Sequence, residues 1–158
     1  MSSYQTVRTP CIGVCSTGIG DSVCRGCKRF EHEVIRWNSY TEDQKRAIDA
    51  RLAQLLSDAV RRRMNITSSE QLAQQLKVQQ VRYPEWRNEY CWLYELLRAG
   101  ATQIQLTEDY GFKIHRLYAQ YSLPQLREQI DEEFYALSIA HFERYIVANQ
   151  RKAVTVSR

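Results

Sequence analysis

Four of the five cysteines of the chain fall between Thr9 and Phe30, in the stretch TPCIGVCSTGIGDSVCRGCKRF. They form two groups, C-x-x-x-C (Cys11, Cys15) and C-x-x-C (Cys24, Cys27), with eight residues between the pairs. Structural zinc sites take four Cys or Cys/His ligands as two close pairs. A tight pair lets one turn of backbone aim two sulfurs at one ion, and the loop brings the chain back to complete the tetrahedron. Gly26 inside CRGC permits the sharp turn that such a knuckle needs. Four thiolates on a dication leave a formal charge of −2, which Arg25, Lys28, Arg29 and Arg8 stand close enough in sequence to offset. An iron–sulfur cluster also needs four thiolates, though the common ferredoxin spacings differ from this one. Soft thiolate sets suit both. The spacing favours Zn²⁺, with an iron–sulfur cluster as the alternative, and the expected metal ligands are Cys11, Cys15, Cys24 and Cys27. A thioredoxin-type redox pair would need a βαβ pattern around Cys24 and Cys27, and none is readable there.

The remaining candidates read as structural. Cys91 sits among aromatics in EYCWLY and is expected to be a buried core thiol. His32 follows Cys27 by five residues, but four cysteines already complete a site, so it is expected at the surface. His115 and His141 lie in helical patterns without a partner motif. GIGDSVCRG has no preceding strand and no G-K-[ST], so it is not a phosphate loop. No G-x-S-x-G, H-E-x-x-H or calcium-loop pattern occurs. A closed four-cysteine site also leaves no open coordination position for Lewis-acid chemistry. No catalytic residue and no organic cofactor site is expected, and the chain reads as non-enzymatic.

The elements that must position the cysteines are helical. A short helix is expected over 30–37. Thr41 and Gln44 form a capping box for a helix over about 42–64, which closes on Arg61-Arg62-Arg63, read as a solvated helix end. Thr67 or Ser68 caps a helix near 68–77. Pro84 fits the first position of a helix running to Gly100, and Thr107 starts another over about 108–121. Ser122 with Gln125 begins the last helix, which extends to about 150, with EQIDEE as a solvated face. The fold class is therefore all-α, a helical bundle with a small irregular N-terminal metal knuckle built on the four cysteines. The divisions are 1–40 for the knuckle with its short helix, 41–150 for the helical domain and 151–158 for a basic tail.

The chain has 158 residues, 44% of them apolar and 25% charged, with a net charge of +4. This suits one globular domain with a small appendage. The opening MSSYQTVRTPC lacks an apolar targeting core and no run of about eighteen apolar residues occurs, so a cytoplasmic protein without membrane attachment is expected. Thiols stay reduced there, which favours metal over disulfides.

EQLAQQLKVQQV (Glu70 to Val81) resembles the first half of a helix-turn-helix, but Lys77 stands where the turn glycine belongs and Pro84 falls inside the would-be reading helix. Tyr83, Trp86, Tyr90, Trp92 and Tyr94 exceed what one buried stripe holds. Trp86, Tyr90, Leu93 and Leu97 share a face expected to be core, and Trp92 lies off it as a candidate anchor for a partner. A protein partner is expected ahead of nucleic acid, in a protein-interaction or regulatory role. An electron-carrying or redox-sensing iron–sulfur protein and a nucleic-acid-binding regulator are the alternatives.

TPCIGVC, CRGCKR and Glu33 to Trp37 (EVIRW), followed by QKRAI, resemble the YdhL-like family of small bacterial predicted iron–sulfur proteins, a domain of unknown function, over roughly residues 9–52. The resemblance implies Cys11, Cys15, Cys24 and Cys27 as ligands and Pro10, Gly26, Arg29 and Trp37 as framework. Many members of that family carry a small residue after the fourth cysteine, where this chain has Lys28. The family implies no activity, and the hundred or so residues that follow lie outside the resemblance.

Overall fold

A computed structural model of the chain describes residues 6–156; the first residues of the N-terminal arm and the last two of the basic tail lie outside them. The described residues are mostly helical, with five α-helices: α1 (Glu31–Arg36), α2 (Glu42–Arg61), α3 (Ser69–Val78), α4 (Glu89–Gly100) and α5 (Leu123–Val156). Two three-residue strands, β1 (Met64–Ile66) and β2 (Phe112–Ile114), pair antiparallel with Met64 opposite Ile114. No helix is long and apolar enough to cross a membrane. The chain divides into two compact units. One comprises residues 1–52 and 135–158, and the other residues 53–134. The unit that holds the cysteines therefore takes in the first half of α2 and the second half of α5 as well as residues 1–40.

The expected caps are present. The Thr41 N–H donates to Gln44 Oε1 (2.9 Å) and the Gln44 N–H to Thr41 Oγ1 (3.2 Å), opening α2. Ser122 and Gln125 repeat the reciprocal pair at the start of α5 (2.9 and 3.3 Å). Ser68 Oγ accepts from the Gln71 N–H (3.2 Å) at the start of α3. Each cap satisfies N–H groups that a helix start cannot bond internally.

The sheet corrects the all-α expectation, and it lies in the second unit. The expected helix over 108–121 is instead a 3-10 turn (Thr107–Tyr110), β2 and a second 3-10 turn (Arg116–Tyr118). Gly111 decides this. It has φ +77, and a Cβ there would stand 2.4 Å from the Ser68 carbonyl oxygen. Its own carbonyl accepts N–H bonds from Thr67 and Ser68 (2.8 and 3.0 Å), so the backbone before α3 lies directly against it. A helix through Gly111 would forgo both bonds.

The end of α2 also departs from expectation. Arg63 is buried rather than solvated. It donates to the Ala59 carbonyl (2.9 Å), to Glu133 (3.1 Å) and to Gln129 (3.3 Å), with its guanidinium 5.3 Å from the Tyr118 ring. Arg62 pairs with Glu133 (3.4 Å), and Arg61 lies over the Tyr90 ring at 4.6 Å. EQIDEE is correspondingly not only a solvated face, because Glu133 serves these arginines and Asp131 accepts from the Tyr94 hydroxyl (3.3 Å).

α4 begins at Glu89, not at Pro84. Asn88 Oδ1 accepts from the Tyr90 N–H (3.0 Å), a stronger start than the proline provides. The Pro84 carbonyl accepts the Trp92 indole N–H (2.8 Å), and the Trp92 ring packs on Tyr83 at 5.2 Å between centroids. Trp92 thus fastens the 83–88 turn to α4. Trp86, expected in the core, is 55% exposed. Cys91 is fully buried, as expected.

α3 ends in a Schellman motif: the Val81 N–H bonds the Leu76 carbonyl (2.9 Å) and the Gln80 N–H the Lys77 carbonyl (3.1 Å). The left-handed seat is Gln80, at φ +56. Residues 79–88 therefore form a long connection and supply no second helix of a helix-turn-helix. Glycine adopts this conformation without the clash that a Cβ brings, a cost of roughly 1–2 kcal/mol per residue. Gln80→Gly should therefore raise stability by about 1 kcal/mol in denaturant titration. An unchanged or lower midpoint would show that the Gln80 side chain compensates.

Candidate metal centre

The second cysteine pair forms a closed hairpin. Val23 and Phe30 make an antiparallel bridge, the Cys24 N–H donates to the Arg29 carbonyl (2.9 Å), and the Lys28 N–H donates to the Cys24 carbonyl (2.8 Å). Closing so short a loop places Lys28 at φ +66. This is a left-handed seat, which glycine takes without the clash that a Cβ brings. Lys28 offsets part of the cost by donating its Nζ to the carbonyls of Arg25 and Gly26 (2.5 and 3.2 Å).

Inside this hairpin Cys24 is 1% exposed and Cys27 is 7% exposed. Burial pushes the Cys24 thiol up, but the backbone N–H groups of Cys27, Ser16 and Gly26 together outweigh it, aided by the Cys27 side chain. The net result is a pKa lowered to about 7. Amide donors converging on sulfur stabilise the thiolate, the form that ligates metals. Burial pushes the Cys27 thiol up, against the pull of Arg29. Arg29 is itself buried. Its Nε–H donates to Cys27 Sγ (3.2 Å), and its guanidinium lies 5.0 Å from the Trp37 ring, with the Lys45 ammonium 5.6 Å from that ring. Arg29 thus couples the sulfur to the helical part of its unit.

The first pair is brought alongside. A Cβ on Gly26 would fall 2.3 Å from the Val14 carbonyl oxygen and 3.2 Å from the Ile12 side chain. Only glycine lets the 12–14 segment lie on the knuckle so closely. Cys24 Sγ stands 3.5 Å from the same Val14 oxygen. Ser16 Oγ accepts the Arg25 N–H (2.8 Å), tying the residue after Cys15 to the same turn. Cys11 and Cys15 are exposed; the Cys11 sulfur accepts from the Gly13 N–H (3.4 Å), and the Cys15 sulfur meets the Thr17 hydroxyl (3.1 Å). None of the five cysteines is in a disulfide. Among the described residues no three Cys, His, Asp or Glu side chains stand close enough to hold one ion. The structure joins Cys24 with Cys27 and lays the 12–14 backbone against them, while Cys11 and Cys15 are exposed.

His32, expected at the surface, is half-buried, its ring 5.7 Å from Phe30 and 5.8 Å from Tyr145. His141 stacks on Phe30 at 6.3 Å. His115 bonds the Arg61 carbonyl (2.9 Å) in the second unit. Of the basic residues near the cysteines, Arg29 reaches a sulfur, whereas Arg25 pairs with Asp21 (3.2 Å) and lies over Tyr135 (5.4 Å).

Two supports of the hairpin were not singled out from sequence. One is Ser16. The other is the buried pair of Glu33 with Arg51, a fork with contacts of 2.6 and 2.7 Å. Glu33 also accepts the Phe30 N–H (2.8 Å), and the Arg51 guanidinium lies 4.0 Å from the Phe30 ring. The position of Glu33 three residues after Phe30, where a helix start is expected, was the available signal.

A cysteine hairpin mounted on helices is the class of arrangement seen here. Residues 9–56 match the model of a family described as "Protein of unknown function (DUF1289)". No curated protein and no solved structure matches the chain.

Arg29 supplies a test of the second pair. Arg29→Lys keeps the charge but loses both the fixed N–H to sulfur and the planar stack on Trp37. Residues that orient ligands from outside the coordination sphere typically contribute 10–100-fold to affinity. Should the cysteines hold zinc, its affinity measured by chelator competition falls by about that factor; an unchanged affinity would leave Arg29 with a packing role alone.

Proposed function

We propose that Cys11, Cys15, Cys24 and Cys27 hold one metal ion, Zn²⁺ in the first place, in a structural four-thiolate site, and that the protein acts without catalysis by binding another protein. The observation that carries the metal reading is the seating of Cys24. Its sulfur is buried, and the segment that carries the first pair lies against it, with the Val14 carbonyl oxygen 3.5 Å away. All four thiols are free, and Cys11 and Cys15 flank the 12–14 segment that lies on the hairpin, so four thiolates are available for a tetrahedral donor set. Charge supports the same reading: the unit with the cysteines has twelve Lys and Arg against seven Asp and Glu, while the other has ten against eleven. A site with a net charge of −2 is thereby held in the more basic unit.

Metal would fasten residues 11–30, whereas α2 to α5 have their own buried apolar faces and caps. Chelation should therefore abolish hydrogen-exchange protection across 11–30 and leave most of the far-ultraviolet helical signal. Global loss of helix would contradict a peripheral structural site. Iron with acid-labile sulfide in anaerobically purified protein would replace zinc by the iron–sulfur alternative on the same four residues.

The protein-partner reading draws on apolar side chains left in solvent on the cysteine segment itself: Ile12 at 47%, Val14 at 60% and Ile19 at 84% exposure. Trp92 gives it no support, because its indole N–H and ring are engaged within the second unit. Steeply salt-dependent binding to DNA or RNA would favour the nucleic-acid alternative.

A further inference from the structure

The two cysteine pairs differ in what surrounds their sulfurs. Cys24 and Cys27 are buried, the first beside the Val14 carbonyl oxygen and the second against the Arg29 guanidinium. Cys11 and Cys15 are open to solvent, each with one local contact. They ride on a segment whose neighbouring Ile12 and Val14 are also exposed. Gly13 between them has φ +88 and open space around its Cβ position, so the segment has room and backbone freedom to fold back on itself. A disulfide needs Cα atoms within about 4.4–6.8 Å, which one tight turn across a C-x-x-x-C spacing provides.

We infer that Cys11 and Cys15 are a peroxide-sensitive modification site that releases the metal: they oxidise to a disulfide while Cys24 and Cys27 stay reduced. This rests on the four-thiolate reading for its metal-release step, while the order of oxidation depends on the exposure difference alone. In the reaction, one exposed thiolate attacks an oxygen of hydrogen peroxide and the O–O bond breaks, giving a sulfenic acid and hydroxide. The second thiolate attacks the sulfenic sulfur, forms the S–S bond and expels a second hydroxide. The two sulfurs lose two electrons and the peroxide gains them, and two protons from solvent convert the hydroxides to water. Two of the four ligands are then lost, and a two-thiolate remnant holds the ion weakly. The buried pair keeps its hairpin, so a thiol reductant that cleaves the exposed disulfide restores the full site.

The test uses the full chain loaded with zinc and treated with one equivalent of hydrogen peroxide. Zinc release is followed with a chromophoric chelator, and each cysteine is mapped by differential alkylation and mass spectrometry. The expected result is a linked Cys11–Cys15 peptide, with these two oxidised at least about ten-fold faster than Cys24 and Cys27. Zinc should be released in step and rebind after reduction. A Cys24–Cys27 disulfide forming first, or zinc retained after Cys11 and Cys15 have been linked, would overturn the proposal. A chain that takes up neither zinc nor iron would overturn the four-thiolate reading and the metal-release step with it. The same alkylation map on that protein would still decide the order of oxidation, and equal rates at all four cysteines would refute the modification site.

Discussion

Cys24→Ser is expected to abolish the zinc binding proposed for the four cysteines. The substitution keeps the shape of the side chain but exchanges a thiolate for a hydroxyl that stays protonated at neutral pH, and thiolate is the ligand form. The amides of Cys27, Ser16 and Gly26 then surround an oxygen that carries no charge for them to stabilise. Because binding free energy and local folding are coupled at such sites, zinc affinity should fall by at least about 100-fold. Protection of the 11–30 segment should be lost together with the metal. Cys91→Ser is the matched control: it is buried in the second unit, 3.5 Å from the Ala53 carbonyl, and should leave metal content unchanged whatever it does to stability. A full metal complement in Cys24→Ser would sink the assignment.

Glu33→Gln should produce the largest loss of stability of the single changes considered. The amide can still accept the Phe30 N–H, so the helix start survives. What is lost is the negative half of the fork with Arg51, whose guanidinium is largely buried against Phe30. Breaking a buried pair from one side leaves an uncompensated charge, at about 3–5 kcal/mol. We expect about 3 kcal/mol, since Arg51 keeps some access to water. Replacing Arg51 by Met in the Glu33→Gln background should recover part of it. A loss below about 1 kcal/mol for Glu33→Gln would place the pair among ordinary surface ion pairs.

How much of this could be read from sequence depended on whether the deciding interaction was local. Thr41 with Gln44, Ser68 and Ser122 with Gln125 cap their helices as read, because the bonds close within three residues. Around Cys24 and Cys27 the residues announced a turn, but Gly26 is required by the approach of the Val14 backbone and the left-handed position falls on Lys28. Much of what escaped was set from a distance. Gly111 stops a helix only because the backbone before α3, far earlier in the chain, lies against it. The two strands it allows are three residues long, too short for an alternating pattern to show. Arg63 looked like one of three solvated cations until Glu133 and Gln129, far along the chain, took it inward. Pro84 is a good first helical residue, yet Asn88 offers a side-chain cap and Trp92 claims the Pro84 carbonyl. Lys28 and Gln80 sit in left-handed seats where sequence reasoning looks for glycine, so neither turn announced itself fully. At the cysteines, spacing gave the pairs, but the unequal burial of the two pairs had no signature in the residues themselves.

X-ray absorption on the metal-loaded full chain reaches the central claim most directly. One ion per chain, surrounded by four sulfurs at about 2.3 Å, is the predicted result. A shell that mixes in oxygen or nitrogen, or holds only the two sulfurs of Cys24 and Cys27, would contradict it.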